Sequence, residues 1–291
     1  MENPNVVAAI GTVNSYIAVV TAPNYLRSNL LFLTPGSRVS AVTKNNQPYV
    51  FRLTVNEQQL QQYTVQYLAK NHMKNILLYY VNDDDGQDAA NKFEYFANQS
   101  GLNLMARRAY EQDIDDYKTV LKNWQLLYQI DALVLYGDLP HVADIIKTAR
   151  QVGIKAPIIG TPSMFNPELI TLAGDAANGV IVPTVGMISS QNSGYINFAK
   201  NYQAQYRAMP DYAAIMGYDS VLLLANVIKQ AGTLTPSKLI KQLHNANGYQ
   251  GLLMHYQFDS IGDLRKPPLS LWQIQNEKFV KIFPLSENNK D

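Results

Sequence analysis

The chain has 291 residues, of which 47% are hydrophobic and 16% charged, and its formal net charge is +1. This balance is typical of a globular protein with one large or two medium domains, and it gives no support for a nucleic-acid or membrane-surface partner. The absence of cysteine excludes disulfides, thiol nucleophiles and cysteine-ligated zinc. The histidines are scattered without metal-binding spacing, so we expect neither a metal nor a cofactor.

Short apolar runs alternate with longer helical patterns along the first two thirds of the chain. Strands are predicted at residues 6–11, 30–34, 75–81, 104–110, 132–137, 157–160 and 179–183. Their near-continuous apolar character favours strands that are buried on both faces of a parallel sheet. Amphipathic helices are predicted between them, most clearly at 56–72 and 140–152. The alternation predicts right-handed βαβ units and a doubly wound α/β architecture.

The last third of the chain departs from this alternation. Helices are predicted at 195–207, 213–232 and 236–245, the last with Thr235 as a cap. Two hairpins follow, with turns at the sequences "SIGD" and "QNEK". Only two predicted strands precede Asn56, so the front of the chain is short of strands for a complete sheet. No apolar run approaches the ~18 residues of a membrane span, and the first ten residues lack the basic and apolar regions of a signal peptide.

Glycine-rich and nucleophile motifs are missing from the sequence. There is no GxGxxG, no GxxxxGK[ST] and no GxSxG, so dinucleotide-binding, P-loop and α/β-hydrolase functions lack their main support. The cluster of Asp83, Asp84 and Asp85 after the strand at 75–81 admits three interpretations: a metal site, an acid–base pair, or polar residues at a helix start. The third is favoured, because the spacing does not match an EF-hand and carboxylates stabilise helix N-termini. We expect no catalytic residues.

Polar loops follow several of the predicted strands at their carboxyl ends, where open α/β sheets bind ligands. The sequence "GTVNSY" follows the first strand. It places a serine hydroxyl at the start of a predicted helix, and the two together form a site suited to bind an anion. The sequence "TPGSR" follows the second, and its arginine is suited to hold a carboxylate. "GTPSMF" follows a later strand. The candidate ligand-binding residues are Asn14, Ser15, Tyr16, Ser37, Arg38, Asp85, Asp138, Thr161, Ser163 and Tyr212.

The ordered set of these stretches resembles the type I periplasmic binding proteins, in the leucine/isoleucine/valine-binding branch of ABC-transporter receptors. The resemblance runs from Asn3 to about Phe283 and is carried by "NPNVVAAIGTVNS", "LLFLTPGSR", "NILLYYVNDDDGQDAA", "DALVLYGDLPHVADIIKTARQVGIKAPIIGTPS", "LAGDAANGVIVP" and "GYDSVLLLANVIKQAG". It implies two α/β lobes with three crossovers and a ligand trapped between them. Lobe 1 would comprise 1–54 and 185–266, and lobe 2 would comprise 55–184 and 269–291.

The front of the chain departs from the family pattern. The resemblance implies an opening β-α-β unit before the strand at 6–10, from Val6 to Ile10, and that unit is absent from lobe 1 here. The strand would then be an apolar edge that pairs with a missing segment or with a second copy of the chain.

The binding loops depart from the pattern as well. Ser15 matches the serine that holds the α-carboxylate in the family, but the second such position falls on Arg38, beside Ser37. The family's lobe 2 acid falls on Pro162, next to Ser163, and its stacking tyrosine on Asp85. One further aromatic position falls near Leu139, and another near Ala213, beside Tyr212. The site is therefore expected to favour a polar ligand over a branched-chain amino acid.

The resemblance implies an extracytoplasmic or periplasmic solute-binding protein, and not an enzyme. Its ligand is expected to be a small polar solute, an amino acid or related compound, delivered to the membrane subunits of an ABC transporter or to a sensor. Two alternatives stay open. One is a degenerate binding-protein fold that serves as a structural or protein-interaction module. The other is an enzyme that uses the aspartates, for which Asp138 is the obvious additional carboxylate.

Overall fold

The structure is a computed structural model that describes residues 6–112, 116–186, 192–245 and 247–284. Its strands are β1 (Ala8–Ile10), β2 (Leu31–Thr34), β3 (Val50–Arg52), β4 (Asn75–Val81), β5 (Asn103–Tyr110), β6 (Ala132–Tyr136), β7 (Ile158–Ile159), β8 (Ile181–Val185), β9 (Tyr249–Gln250), β10 (His255–Tyr256), β11 (Leu269–Gln275) and β12 (Lys278–Pro284). Its α-helices are α1 (Ser15–Arg27), α2 (Ala41–Lys44), α3 (Glu57–Lys70), α4 (Asp84–Gln99), α5 (Tyr117–Leu127), α6 (His141–Gln151), α7 (Pro167–Ala173), α8 (Ser193–Tyr206), α9 (Tyr212–Ala231) and α10 (Pro236–Leu243). Among the described helices, none combines the length and apolar character that crossing a bilayer requires.

The chain divides into two compact units, each of which joins two separate stretches of sequence. Unit 1 comprises Met1–Asn56 and Val185–Pro268. Unit 2 comprises Glu57–Thr184 and Leu269–Asp291. The three-stranded sheet of unit 1 comes from its first stretch, whereas the sheet of unit 2 includes strands from both of its stretches.

The sheet of unit 1 is parallel and has the strand order β1-β2-β3. Its central strand β2 is buried throughout, and Phe32 stacks on Tyr25 of α1 with ring centroids 4.6 Å apart. Among the described strands, β1 has β2 as its one neighbour, so β1 forms an edge. Ile10 at the end of β1 is 38% exposed, and Val6, two residues before the strand, is 40% exposed. The predicted apolar edge is therefore present within the described residues.

Strand β3 was missed by the sequence analysis, which counted only two strands before Asn56. It has three residues, one of them Arg52, and neither its length nor its charge suggests a buried strand. All three residues are nevertheless buried. The parallel pairing of Phe32 with Val50 and the enclosure of the Arg52 side chain by polar partners make the strand stable there.

The later part of unit 1 contains α8, α9, α10 and a short hairpin of β9 with β10. Asp219, fully buried in α9, accepts hydrogen bonds from the backbone N–H groups of Leu252 and Leu253 and from the Tyr256 hydroxyl. Burial raises the pKa of this carboxyl, and the three donors oppose that rise. Asp219 thus fixes the hairpin to the helix. The predicted "SIGD" turn is also present, bracketed by a bridge between Phe258 and Leu264.

The sheet of unit 2 has the order β12-β11-β8-β7-β6-β4-β5. The strands from β4 to β8 pair in parallel, and β11 with β12 forms an antiparallel hairpin. That hairpin turns at Asn276 and Glu277, which both have positive φ, within the predicted "QNEK" turn. Strand β8 begins two residues later than predicted, because Gly179 has a φ of +82°, outside the β region. The doubly wound α/β architecture predicted from the sequence is confirmed.

Apolar helix faces close the core of unit 2. Helix α3 buries Leu60, Tyr63, Tyr67 and Leu68, which share one face of the amphipathic helix predicted at 56–72. Helix α6 likewise buries Val142, Ile145, Ile146 and Ala149. The 3.6-residue periodicity therefore identified these faces correctly, since a helix presents every third or fourth side chain to the same side.

Candidate functional site

Two loops meet at the carboxyl ends of the adjacent parallel strands β1 and β2 in unit 1. Thr34 Oγ donates a hydrogen bond to the carbonyl of Thr12 at 3.2 Å and accepts one from the N–H of Ser37 at 3.4 Å. A Cβ atom on Gly36 would lie 2.7 Å from the Cα of Val13. Only a residue without a side chain allows the two loops to approach so closely. The sequences "GTVNSY" and "TPGSR" are therefore brought together, as predicted from their places after β1 and β2.

Asn14 and Ser15 form the start of α1. Asn14 is the N-cap, and its side-chain oxygen accepts a hydrogen bond from the N–H of Ile17 at 3.0 Å. Ser15 is buried, and its hydroxyl oxygen accepts a hydrogen bond from the N–H of Arg38 at 3.4 Å. This contact joins the helix start to the neighbouring loop, in a place where the helix dipole favours negative charge. Tyr16 is 61% exposed and contributes a surface ring.

Arg38 and Tyr212 lie within electrostatic range of one another. Burial raises the pKa of the Tyr212 hydroxyl well above its usual value, and the positive charge of Arg38 opposes that rise. The Tyr212 hydroxyl donates a hydrogen bond to the carbonyl of Val185 at 2.8 Å, and it also contacts the Thr54 side chain. The guanidinium and the aromatic ring predicted from separate parts of the sequence therefore belong to one cluster.

Ser37 has a different environment from the one expected for an exposed loop serine. Its side chain is fully buried, and its hydroxyl has no hydrogen-bond partner within the described part of the chain. Its carbonyl accepts a hydrogen bond from the buried side chain of Arg52 at 2.9 Å. The structure therefore holds Ser37 by its backbone and leaves the adjacent Arg38 half-buried.

A second polar cluster lies at the carboxyl ends of β4, β6 and β7 in unit 2. Asp83 is the N-cap of α4, and its carboxylate accepts a hydrogen bond from the N–H of Gly86 at 2.7 Å. Partial burial raises the pKa of Asp83, the bond from Gly86 lowers it, and the negative charges of Asp138 and Asp84 raise it further. Two carboxylates from neighbouring strand ends, Asp83 and Asp138, therefore interact electrostatically.

The sequence favoured a helix-start role for Asp83, Asp84 and Asp85, and the family's stacking-tyrosine position falls on Asp85. Asp85 lies in the first turn of α4 and is half-buried. Asp83, by contrast, caps the helix and is coupled to Asp138. Asp83 is exposed at the turn before α4, in agreement with the helix-start interpretation. Its interaction with Asp138 depends on β4 lying beside β6, which cannot be read from local sequence.

Thr161, Ser163 and Gly137 complete the cluster in unit 2. Thr161 Oγ lies 2.7 Å from Ser163 Oγ and donates to the carbonyl of Gly137 at 3.3 Å. The Tyr110 hydroxyl donates to the carbonyl of Tyr136 at 3.0 Å. A Cβ on Gly137 would lie 1.9 Å from the Tyr110 hydroxyl oxygen. Only a glycine fits at this strand end. Ser163 and Asp138 are exposed, whereas Thr161 is buried.

The predicted site residues thus form two groups. Unit 1 holds Asn14, Ser15, Tyr16, Ser37, Arg38 and Tyr212. Unit 2 holds Asp85, Asp138, Thr161 and Ser163. In neither group do the described residues include three or more histidine or carboxylate side chains arranged to hold a metal. Sequence reasoning missed Thr34, Arg52 and Tyr110, whose importance comes from contacts with residues distant in the chain.

Comparisons with known proteins give a consistent result. A family model described as periplasmic binding protein matches residues 1–275. The chain is 23% identical over 262 residues to a Leu/Ile/Val-binding protein homolog 1 of Brucella abortus, covering 89% of this chain and 69% of that protein. It is 19% identical over 274 residues to a leucine-, isoleucine-, valine-, threonine-, and alanine-binding protein of Pseudomonas aeruginosa, covering 93% and 72%.

Solved structures resemble the fold across nearly the whole chain. An ABC transporter substrate-binding protein from Desulfitobacterium hafniense, in complex with Leu, has a TM-score of 0.80 at 25% identity and covers 94% of this chain and 80% of its own. A leucine-binding protein from Thermotoga maritima has a TM-score of 0.87 at 21% identity, covering 97% and 80%. The second likeness concerns the fold alone.

Proposed function

The chain belongs to the periplasmic binding protein family, and from that premise we propose that it captures a small polar solute, an amino acid or a closely related compound. Family membership implies an extracytoplasmic location, and we propose the periplasm. The relative from Pseudomonas aeruginosa is named for the amino acids it binds, the one from Brucella abortus is named as a homolog of such a protein, and one related structure contains Leu. These names motivate the ligand class, while the polar residues of this chain favour a more polar member of it.

The observation that carries the proposal is the contact between Ser15 and Arg38. The N–H of Arg38 donates to the Ser15 hydroxyl at the start of α1. A helix N-terminus, a hydroxyl and a guanidinium are groups that bind carboxylates, and arginine binds them with two parallel hydrogen bonds. Arg38 is half-buried, so its charge is screened less than that of a surface arginine. We propose that this cluster holds the carboxylate of the solute.

The partners that follow from this role are the membrane subunits of an ABC transporter. The related structure from Desulfitobacterium hafniense is described as a transporter substrate-binding protein. A sensor that receives the loaded protein is the second candidate partner. The alternative of a structural module is not favoured, because the relatives and the family model share a solute-binding function.

The proposal is tested by isothermal titration with the twenty standard L-amino acids and their carboxamides, on protein stripped of bound solute by unfolding and refolding. We expect at least one amino acid to bind and its amide to bind much more weakly. Arg38→Gln should lower affinity for that amino acid by about tenfold to a hundredfold, since a hydrogen bond to a charged group contributes about 1.5–3 kcal/mol.

The matched control is Arg27→Gln in the last turn of α1, which makes the same change in an exposed arginine of the same unit. It should leave the affinity unchanged. Equal binding of the amino acid and its amide, or equal loss in the two variants, would contradict a carboxylate role for Arg38. Asp138→Asn tests the polar cluster of unit 2 separately. The same titrations then measure whether the substitution changes which amino acids bind, according to their side chains.

A further inference from the structure

The Arg52 side chain lies buried beside the loop that carries Arg38. Arg52 is the last residue of β3, and its relative exposure is 0%. Its Nε donates to Asp263 Oδ1 at 2.8 Å, and this ion pair is enclosed, with side-chain exposures of 0% and 4%. A buried charge is tolerated only when it is paired and hydrogen-bonded. Asp263 therefore makes it possible for the guanidinium to remain inside unit 1.

The remaining donors of Arg52 form hydrogen bonds with the loop on both sides of Arg38. Nη1 donates to the carbonyl of Ser37 at 2.9 Å, and Nη2 donates to the carbonyl of Val39 at 2.9 Å. Nη2 also donates to Thr43 Oγ at 2.9 Å. The planar guanidinium presents its donors in a fixed fork, so two carbonyls bound to it are held at a fixed separation.

Asp263 is held in turn by several groups, so the ion pair is not free to shift. Its Oδ1 also accepts a hydrogen bond from Thr43 Oγ at 2.8 Å, and its Oδ2 accepts one from Asn56 Nδ2 at 2.9 Å. Its N–H donates to Asp259 Oδ1 at 3.0 Å, within the "SIGD" turn. A network of side chains and a turn therefore fixes Asp263, and Asp263 in turn fixes the position of the guanidinium.

From this geometry we propose that Arg52 is a positioning residue for solute binding. It acts through the backbone of residues 37–39, and it fixes the direction in which Arg38 leaves the loop. The effect of Arg52 on binding rests on the proposed function, because the solute carboxylate is the group that Arg38 would bind. The effect on the loop itself does not depend on any solute.

The first test measures the loop without a solute, by hydrogen–deuterium exchange of the Arg52→Lys protein. Lysine keeps the positive charge for Asp263 but is a point charge that cannot span two carbonyls. We expect amide exchange in residues 35–40 to become about tenfold faster or more, because the loop then opens locally. The matched control is Arg150→Lys in unit 2, where Arg150 Nη1 donates to the carbonyls of Ile154 and Ala156. It should leave residues 35–40 unchanged.

The second test asks whether Arg52 acts through Arg38. Affinity for the twenty L-amino acids is measured for Arg52→Lys, Arg38→Gln and the double variant. If Arg52 positions Arg38, the double variant should bind as weakly as Arg38→Gln alone, because the two effects are coupled. A residue with a purely structural role would instead give additive losses in affinity.

The outcomes separate the two proposals. Unchanged exchange in residues 35–40, or a uniform increase across unit 1, overturns the positioning role whatever binds. Additive losses in the double variant overturn it as well. If the wild-type protein binds none of the amino acids, the proposed function fails, and the exchange measurement still decides whether Arg52 holds the loop.

Discussion

The hydroxyl of Tyr212 donates a hydrogen bond to the backbone carbonyl of Val185 at 2.8 Å. Val185 is the last residue of β8 and is 1% exposed, whereas Tyr212 is the first residue of α9. A buried carbonyl without a hydrogen-bond partner costs free energy. The Tyr212 hydroxyl supplies this hydrogen bond at the end of β8. The aromatic residue predicted as a ligand contact therefore has its hydroxyl committed to the backbone.

Tyr212→Phe should lower the free energy of unfolding by about 1–3 kcal/mol, because it leaves the buried Val185 carbonyl without this donor. Urea unfolding followed by circular dichroism measures the change. Tyr206→Phe is the control, since Tyr206 is 59% exposed in α8 and should shift stability very little. Equal effects of the two substitutions would show that the hydrogen bond to Val185 contributes nothing measurable.

Asp83 combines a helix cap with a repulsive carboxylate neighbour, and two substitutions separate these effects. Asp83→Asn keeps a side-chain oxygen for the N–H of Gly86, whereas Asp83→Ala removes it. We expect Asp83→Ala to lose about 0.5–2 kcal/mol of stability at neutral pH, and Asp83→Asn to retain or exceed wild-type stability. Thermal unfolding of the three proteins provides the comparison. A loss in Asp83→Asn as large as that in Asp83→Ala would contradict the capping role.

The pH dependence of stability follows from the raised pKa of Asp83. The folded protein binds this proton more tightly than the unfolded chain, where the carboxyl titrates near 3.8. The contribution of the carboxyl to the free energy of unfolding is therefore most favourable at low pH, and it is lost as the pH rises through the raised pKa. The stability of the wild type relative to Asp83→Asn should therefore decline as the pH rises above the ordinary carboxyl pKa of 3.8. A difference that stays constant or increases over this range would contradict the raised pKa.

Gly137 is expected to be intolerant of any side chain. Its φ is +150°, and a Cβ would lie 1.9 Å from the Tyr110 hydroxyl oxygen. Gly137→Ala should cost about 2–4 kcal/mol through backbone strain and overpacking. Tyr110→Phe removes the clashing oxygen, so the double variant should be less destabilised than the sum of the single variants. Denaturant unfolding of all four proteins tests this coupling, and strict additivity would contradict it.

The ion pair of Arg52 with Asp263 should affect stability far more than a surface pair. Asp263→Ala leaves a buried guanidinium unpaired and should cost about 3–5 kcal/mol. The comparison is Lys147→Ala, which breaks a pair with Asp144 at 2.7 Å whose side chains are 40% and 59% exposed. Such pairs contribute about 1 kcal/mol or less. Urea midpoints of both variants measure the contrast, and similar losses would mean that burial does not distinguish the two pairs.

Much of the fold was predictable because local sequence expresses it directly. The run at β4 is apolar from Ile76 to Val81, and the strand begins and ends where predicted. The buried faces of α3 and α6 repeat at helical spacing. The turn at Asn276 and Glu277 lies between β11 and β12, within the predicted "QNEK" turn. These features depend on residues a few positions apart, which a single sequence displays.

The site was predictable in outline and less so in its roles. The placement of Ser15 and Arg38 in neighbouring loops followed from the rule that ligands bind beyond the carboxyl ends of parallel strands. The burial of Ser37 and the hydroxyl contact of Tyr212 did not follow from that rule. Each depends on which other element lies beside the residue.

The sequence by itself determined the α/β class, the main strands and helices, and the loops that carry polar residues, because hydrophobic periodicity and turn residues act over short distances. Only the tertiary structure decided that Arg52 is a buried strand residue. Its charge is unfavourable in a core until Asp263, more than two hundred positions later, neutralises it. Contacts between residues so far apart in the chain leave no local pattern, and the packing of unit 1 alone brings these two side chains together.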